Sequence, residues 1–499
     1  MSDPYVLDHF TSMISVDVGS RTKDPPASMS SCPVEVHLLI VNCLWRQRTT
    51  LHALSLVNKH FSIIAQPFLY EEVDVGWADG ESPPLTLIIR TLLDRPELAN
   101  NIKFLRLDGW NFPDRVPDRL PRISPAALDL EKVAQFITNS NVLLGQEWGE
   151  GIFDGELDAI VALLLALLPR LKSLFLGQDF STEIIYVGMI LDPNQVNNPD
   201  HRIHKFEHLR KVTMKNENMD RYHNMYDFSE SALAFFNMSQ LEELSMAPIL
   251  PEIDFTWPTG TPQPMEKLKY LHVERVRETQ LERILCLAPN LKSFSWNWSY
   301  DNERDGAEHG NLFELDRMDS AFRVVNKTLT AISITVDEDG GINHPDHFWH
   351  IRVSGNLEGL VDFTNLRDLT IPLVLLLGYS PDSAPPLRSR VPPTVLRLYL
   401  TDNLCFQDHF KWDRNSLMTH MMPFIYAELS SRTKLDEFVL AGTVFNILLP
   451  WDQRKELGLL AARARIKFNV WEWTPGETMK EREDFERRLR YEPRGEKKA

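Results

Sequence analysis

Large apolar side chains recur along this chain as a triplet, apolar-x-x-apolar-x-apolar. The pattern opens at Ile102-x-x-Leu105-x-Leu107 and returns as "LKSLFL" from Leu171, "LRKVTM" from Leu209, "LEELSM" from Leu241 and "LKYLHV" from Leu268. It continues as "LKSFSW" from Leu291, "LTAISI" from Leu329, "LRDLTI" from Leu366, "VLRLYL" from Val395 and "LDEFVL" from Leu435, with "ARIKFNV" around Ile466 as a closing member. On a straight helix, positions i, i+3 and i+5 spread around the cylinder; on a straight strand the first faces away from the other two. A chain that bends into a short strand after its first apolar residue buries all three. Helical runs separate the triplets: Leu157–Leu168, Glu230–Met238, Thr279–Pro289 and Met318–Lys327. Strand alternating with helix predicts an α/β fold with a parallel sheet.

The front of the chain follows a different rhythm. Pro33 stands where a first helical residue belongs, because its missing N–H needs no partner there, and Glu35 favours the positive end of the helix dipole. Val36, Leu39, Ile40, Cys43 and Leu44 then share one helical face. "RQRTT" interrupts, and Thr50 is placed to cap a second helix carrying Leu51, Leu54 and Val57. After Asn58-Lys59-His60, residues Phe61, Ile64, Ala65 and Phe68 form a third helical face, which Pro67 ends or kinks. Val73 and Val75 alternate as a strand does. So small a unit rarely supplies a sufficient core of its own, so part of its apolar surface is expected to meet another body.

Two resemblances follow from these residues. Pro33-Val34-Glu35-Val36, the Leu51–Val57 helix, "NKHF" and "AQPFLYEEV" resemble an F-box in its fungal form, with Cys32 where that family usually carries Leu. The recurring triplet resembles a leucine-rich repeat. Together they imply an α/β protein: a short three-helix F-box followed by an irregular leucine-rich-repeat solenoid, parallel strands inside and helices outside. The expected organisation is a disordered tail over 1–30, the F-box over 31–75, the repeats over 76–475 and a charged tail over 476–499. The F-box family docks onto the adaptor subunit of SCF-type ubiquitin ligases and, through it, a cullin. Carried over by position, the adaptor-binding residues are Pro33, Val34, Val36, Ile40, Leu44, Leu51, Leu54 and Val57.

The repeats are uneven, their starts lying 23 to 69 residues apart. The first and longest gap is expected to hide a degenerate copy. The Asn that this family places three residues past the last Leu stands only at Asn403. Insertions at Asn111–Ala126, Leu250–Pro264, Tyr300–Gly310, Asp337–Pro345 and Gly378–Pro393 belong at turns, where repeat proteins often build binding surfaces. Side chains between the last two apolar positions of each triplet, and their flanks, point out of the inner sheet. They make Arg106, Phe175, Thr213, Tyr270, His272, Ser295, Ser333, Tyr399 and Val439 the candidate target-binding residues.

Composition narrows the function. The net charge of −17 argues against a general nucleic-acid binder. The four cysteines, Cys32, Cys43, Cys286 and Cys405, are scattered without a CxxC pair, which points to a reducing compartment, cytoplasmic or nuclear. "MSDPYVLDHF" has no signal-peptide pattern, and "IVALLLALL" is far shorter than a membrane span; the sequons at Asn237, Asn297 and Asn326 then read as chance. No Walker A loop, GxGxxG, GxSxG or HExxH is present. The His201/His204/His208 and His344/His347/His350 groups are read as solvated histidines, and "DEDGG" (337–341) as an acidic turn. No metal, cofactor, nucleic acid or membrane is expected. The expected function is a non-catalytic substrate receptor of an SCF-type ligase, working by proximity. The alternatives are an adaptor-binding F-box protein with a non-degradative scaffolding role, or an enzyme with a pocket built from the insertions.

Overall fold

A computed structural model describes residues 32–45, 47–77, 83–109, 122–181, 184–191, 202–214, 230–246, 257, 260, 262–299, 311–337, 351–429 and 435–471. The tails expected at 1–30 and 476–499, the insertions around 111–121, 250–256, 300–310 and 338–345, and His201, His344, His347 and His350 lie outside these residues. The chain forms two compact units that divide after Tyr70.

Among the described residues, the first unit holds three helices: α1 (Val34–Cys43), α2 (Arg48–Ser55) and α3 (Lys59–Leu69). Its core is Val41, Leu51 and Ile64, with Leu44, Leu54, Phe68 and Leu69 packed around them. Asn58 caps α3, its side chain accepting from the Phe61 N–H at 2.9 Å, as Asn does at a helix start. Three local expectations change. Thr50 lies inside α2, which begins two residues earlier behind Gln47. Pro67 sits within α3 rather than ending it, because so near the C-terminal end few intrahelical bonds are lost. On α1, Leu39 and Cys43 are exposed while His37 and Val41 are buried. His37 turns inward because its Nδ1 meets the His60 Nε2 at 2.9 Å and its ring packs on Phe61.

Among the described residues, the second unit carries fourteen strands. β1 (Glu72–Trp77), α4 (Leu85–Asp94) and β2 (Phe104–Gly109) open it, so Val73 and Val75 belong to this unit's sheet. There follow α5 (Leu130–Ser140), α6 (Gly145–Phe153), α7 (Leu157–Ala166), β3 (Ser173–Leu176), α8 (Gln178–Ser181), α9 (Ile185–Leu191), β4 (Lys211–Met214), β5 (Glu243–Met246) and β6 (Tyr270–Glu274). Then come α10 (Glu278–Leu285), β7 (Ser293–Ser299), β8 (Leu312–Glu314), α11 (Leu315–Arg323), β9 (Ala331–Asp337), β10 (Arg352–Ser354), β11 (Asp368–Pro372) and α12 (Leu373–Leu377). The unit closes with β12 (Arg397–Thr401), α13 (Arg414–Glu428), β13 (Glu437–Ala441), α14 (Thr443–Leu448), α15 (Trp451–Ala464) and β14 (Lys467–Trp471).

Twelve of these strands form one parallel sheet in chain order; only β8 and β10 stand aside, as a separate pair. Each apolar triplet from Ile102 to Leu440 is buried at all three positions, each such side chain contributing about 1.5–3 kcal/mol on leaving water. The bend after the first apolar residue has a repeated hydrogen-bond signature. The carbonyl of the next residue accepts two N–H groups from the following repeat: Lys103 from Lys172 at 2.7 Å and Ser173 at 3.1 Å, then Lys172 from Arg210 and Lys211, and so on to Leu396, which accepts from Asp436 and Glu437. The Asn403 side-chain amide donates to the Val336 carbonyl at 2.9 Å.

No strand of the described residues lies between β2 and β3, which pair directly, Phe104 opposite Ser173. Helices fill that gap instead. Every residue of α7 is buried, as a helix apolar on all sides requires. Trp148 ties α6 to it by donating to the Ala159 carbonyl at 2.9 Å. The 230–237 segment is a 3₁₀ helix rather than α, with Ala232, Leu233, Phe235 and Phe236 all buried. The Gly378–Pro393 insertion is packed: Leu387 is buried, and Tyr379 donates to the Ile351 carbonyl at 2.6 Å.

Candidate functional site

The open side of the large sheet carries its candidate residues in one line. Asp74 pairs with Arg106, Arg106 with Phe175, Phe175 with Thr213, Thr213 with Ser245 and Ser245 with His272. His272 continues to Ser295, Ser333, Thr370, Tyr399, Val439 and Asn469. Eight of the nine sequence-derived candidates stand in this row. Tyr270 stands one row away, level with Lys211, Glu243, Asp368, Arg397, Glu437 and Lys467. The row also contains Asp74, Ser245, Thr370 and Asn469, which the sequence selection passed over. Their signal was present, since each fills the x of an apolar-x-apolar pair, as in Leu244-Ser245-Met246.

Alignment does not make every member available. Val439 is 0% exposed, and Tyr399 and His272 are buried as well. Tyr399, Val439 and Ala441 pack together, and the Trp471 ring lies 6.3 Å from that of Tyr399. The closing strand thus folds an aromatic side chain against this end of the row, which removes Val439 as a contact residue. Arg106, Phe175, Thr213, Tyr270, Ser295 and Ser333 remain partly exposed.

The charges on this face are largely matched within it. Lys211 meets Glu243 at 2.7 Å. Arg397 forks onto Asp368, Nη2 to Oδ2 at 2.6 Å, and this hydrogen bond raises its already high pKa. Arg106 binds Asp108 and lies 3.8 Å over the Phe175 ring. His272 Nε2 lies 2.7 Å from Glu274 Oε1. Tyr399 donates to Glu437 at 2.7 Å; burial first, and that bond second, push its phenol well above the usual tyrosine range. Between them, Thr213, Ser245, His272 and Ser295 line a depression of only ≈ 20 Å³, against the hundreds of Å³ that enclose a small organic ligand. Such a face suits a broad, shallow contact.

No family model matches the chain, and no curated protein matches it.

The first unit offers a second candidate surface. Of the sequence-derived residues there, Leu51 is 0% exposed and belongs to the core. Leu44 and Leu54 pack beside it, and Ile40 is half-buried. Pro33, Val34, Val36 and Val57 are exposed. The sequence reading omitted Leu38, Leu39, Trp45, Leu56 and Ile63, all exposed, with Leu39 at 65% and Leu56 at 73%. A helix apolar on most sides gives no directional period, so pattern alone could not separate the inner face of α1 from its outer one.

Among the described residues, no group of three or more His, Cys, Asp or Glu is arranged to hold a metal ion. His204 instead meets the Leu165 carbonyl at 3.0 Å and packs against Phe206. Nor is any helix among them long and apolar enough to cross a membrane.

Proposed function

We propose that this chain is a substrate receptor of an SCF-type ubiquitin ligase, with an F-box over its first unit and an irregular leucine-rich-repeat array over its second. The observation that carries this proposal is the inversion of apolar surface in the first unit. Val41, Leu51, Phe61, Ile64 and Ala65 are buried, while Val34, Val36, Leu38, Leu39, Leu56, Val57 and Ile63 are exposed. This many exposed large apolar side chains on so small a body mark it as a docking unit. The helix start Pro33-Val34-Glu35-Val36, the Leu51–Val57 segment, "NKHF" and "AQPFLYEEV" supply the resemblance to an F-box.

In this proposal the adaptor covers the outward side chains of the first unit, and the sheet presents Arg106, Phe175, Thr213, Ser295 and Ser333 from the aligned row, with Tyr270 from the row beside it, to a target protein. The receptor forms and breaks no bond. It holds target lysines near a charged conjugating enzyme, raising their effective concentration. The adaptor and cullin are the proposed partners, and the proposed setting is the cytoplasm or nucleus.

Co-purification with the adaptor and cullin tests the first half. Val57→Asp combined with Leu39→Asp is expected to abolish adaptor capture with the helical circular dichroism unchanged; retained capture overturns the docking face. Target turnover with and without Met1–Tyr70 tests the second half. Unchanged turnover favours the alternative, an adaptor-bound scaffold outside degradation.

A further inference from the structure

A groove unrelated to either surface lies between α5 and α6. Leu130, Val133, Ala134 and Ile137 line it from α5, at i, i+3, i+4 and i+7. Gln146, Gly149, Glu150 and Phe153 line it from α6 at the same spacing. Its volume is ≈ 520 Å³. Val133, Ile137 and Ile152 are buried in its floor, whereas Leu130 and Phe153 stand open beside it, Phe153 at 66% exposure. Leu143, in the connection between the helices, is 80% exposed. Two helices that pack for stability alone have no need to leave this much apolar surface uncovered.

The chemistry of the walls selects the occupant. Both walls are helices whose backbone groups are bonded internally, so an extended peptide would find no ladder partners and would bury its own N–H and C=O groups at a cost. A helix brings its backbone already satisfied. The polar groups lining the groove are few, and Gln146 and Glu150 already bind each other at 3.0 Å. Around them the helices carry Glu131, Glu147, Glu150 and Asp154 against one cation, Lys132, which is held by Asp94 and Asp129. Charge complementarity therefore calls for basic flanks.

We propose that the α5–α6 groove receives an amphipathic helix from a partner protein, apolar along one face and flanked by lysine or arginine. The helix would lay side chains at i, i+3 or i+4, and i+7 against Ile137, Ile152 and Phe153, the mode by which helices commonly enter apolar grooves. The proposal stands independently of the adaptor and target surfaces.

Gly149 provides a clean test. A β-carbon there meets only the Ile137 Cδ1, at 3.8 Å, so Gly149→Phe can plug the groove while improving helix propensity. The probe is a fluorescein-labelled Leu/Lys amphipathic peptide of about fifteen residues, roughly four helical turns. Its controls are a shuffled peptide of the same composition and a version with Glu for Lys. With the full chain, fluorescence anisotropy is expected to show saturable binding of the amphipathic probe, about tenfold weaker for the shuffled peptide and for the Glu version. Gly149→Phe and, separately, Phe153→Asp are each expected to weaken it by about tenfold, with far-ultraviolet circular dichroism unchanged. Equal binding of the shuffled peptide, or affinity untouched by both substitutions, overturns the proposal. So does a tenfold gain on deleting residues 476–499, roughly a full anchor's worth, since this chain's own tail would then be the occupant.

Discussion

The Tyr399 hydroxyl on β12 donates to the Glu437 carboxylate on β13 at 2.7 Å, and the phenol sits buried beside Val439. Burial and that hydrogen bond both hold Tyr399 protonated beyond the usual tyrosine range. A group whose pKa is raised on folding contributes stability that is complete below its unfolded pKa, about 10 for tyrosine, and is lost as pH rises toward the folded value. Unfolding measured in denaturant from pH 8 to 11 should therefore show stability falling above about pH 10. Tyr399→Phe should remove that part of the alkaline slope. At neutral pH the substitution should cost about 1–2 kcal/mol, leaving Glu437 short of a donor.

Gly442 precedes α14 with φ +141°, and a β-carbon on it would run into the Asp402 carboxyl. That carboxyl cannot retreat freely, because its Oδ2 accepts from the Val444 N–H at 3.0 Å. Burial raises its pKa, and the helix-terminal N–H groups oppose the rise. Gly442→Ala combines a backbone conformation that L-residues avoid with a steric clash, so a loss of about 2–4 kcal/mol is expected. The midpoint of urea unfolding checks it. Adding Asp402→Ala should recover part of the loss, and additive costs would show that the two residues do not interfere.

Leu51 and Val57 separate folding from docking. Leu51→Ala opens a cavity in a core of three central residues, at a cost of about 2–5 kcal/mol. So small a unit should lose its helical structure, visible as rapid proteolysis between residues 34 and 69. Val57 is 64% exposed, and Val57→Asp should change stability by no more than about 0.5 kcal/mol. Rapid cleavage of the Val57 variant would place that side chain in the core.

Glu278 is a buried carboxylate that joins three elements. It accepts from the Trp298 indole at 2.9 Å and from the Glu314 N–H at 3.0 Å, with the Arg277 guanidinium 3.5 Å away. Glu278→Ala takes the acceptor from the buried Trp298 indole and from the Glu314 N–H and removes a carboxylate from beside the Arg277 guanidinium, and about 3–5 kcal/mol of stability should go with it. Glu278→Gln keeps an acceptor oxygen and should lose less than half as much. Trp298 fluorescence provides a local readout, because the indole loses its acceptor in the alanine variant alone.

The sheet was legible in the sequence because its grammar is local. Each strand announces itself by two apolar residues around one intervening position, and the preceding apolar residue marks the bend. Leu171, Leu174 and Leu176 read the same alone as they do in place. The covering of the aligned row was not legible. Val439 occupies the same position in its triplet as Phe175, yet Trp471, outside any triplet, packs beside its end of the row. The inner side of α1 was hidden for the opposite reason. "VEVHLLIVNC" is apolar nearly all round, so the choice of Val41 over Leu39 rests on α2 and α3. His37 gave no sign of burial, because the His60 and Phe61 partners that hold it stand more than twenty positions along the chain. The α5–α6 groove follows from two i, i+3, i+4, i+7 faces that are each visible in sequence, but their failure to close on one another is a property of their packing.

Within the large sheet, the strands that share hydrogen bonds also follow one another along the chain. Duplicating a strand with its connecting segment would therefore lengthen the sheet by one step of about 4.8 Å and leave the remaining pairings as they were. Gene-level copying and loss can adjust the width of such a face to the size of what it meets, without the refolding that an interleaved strand order would demand.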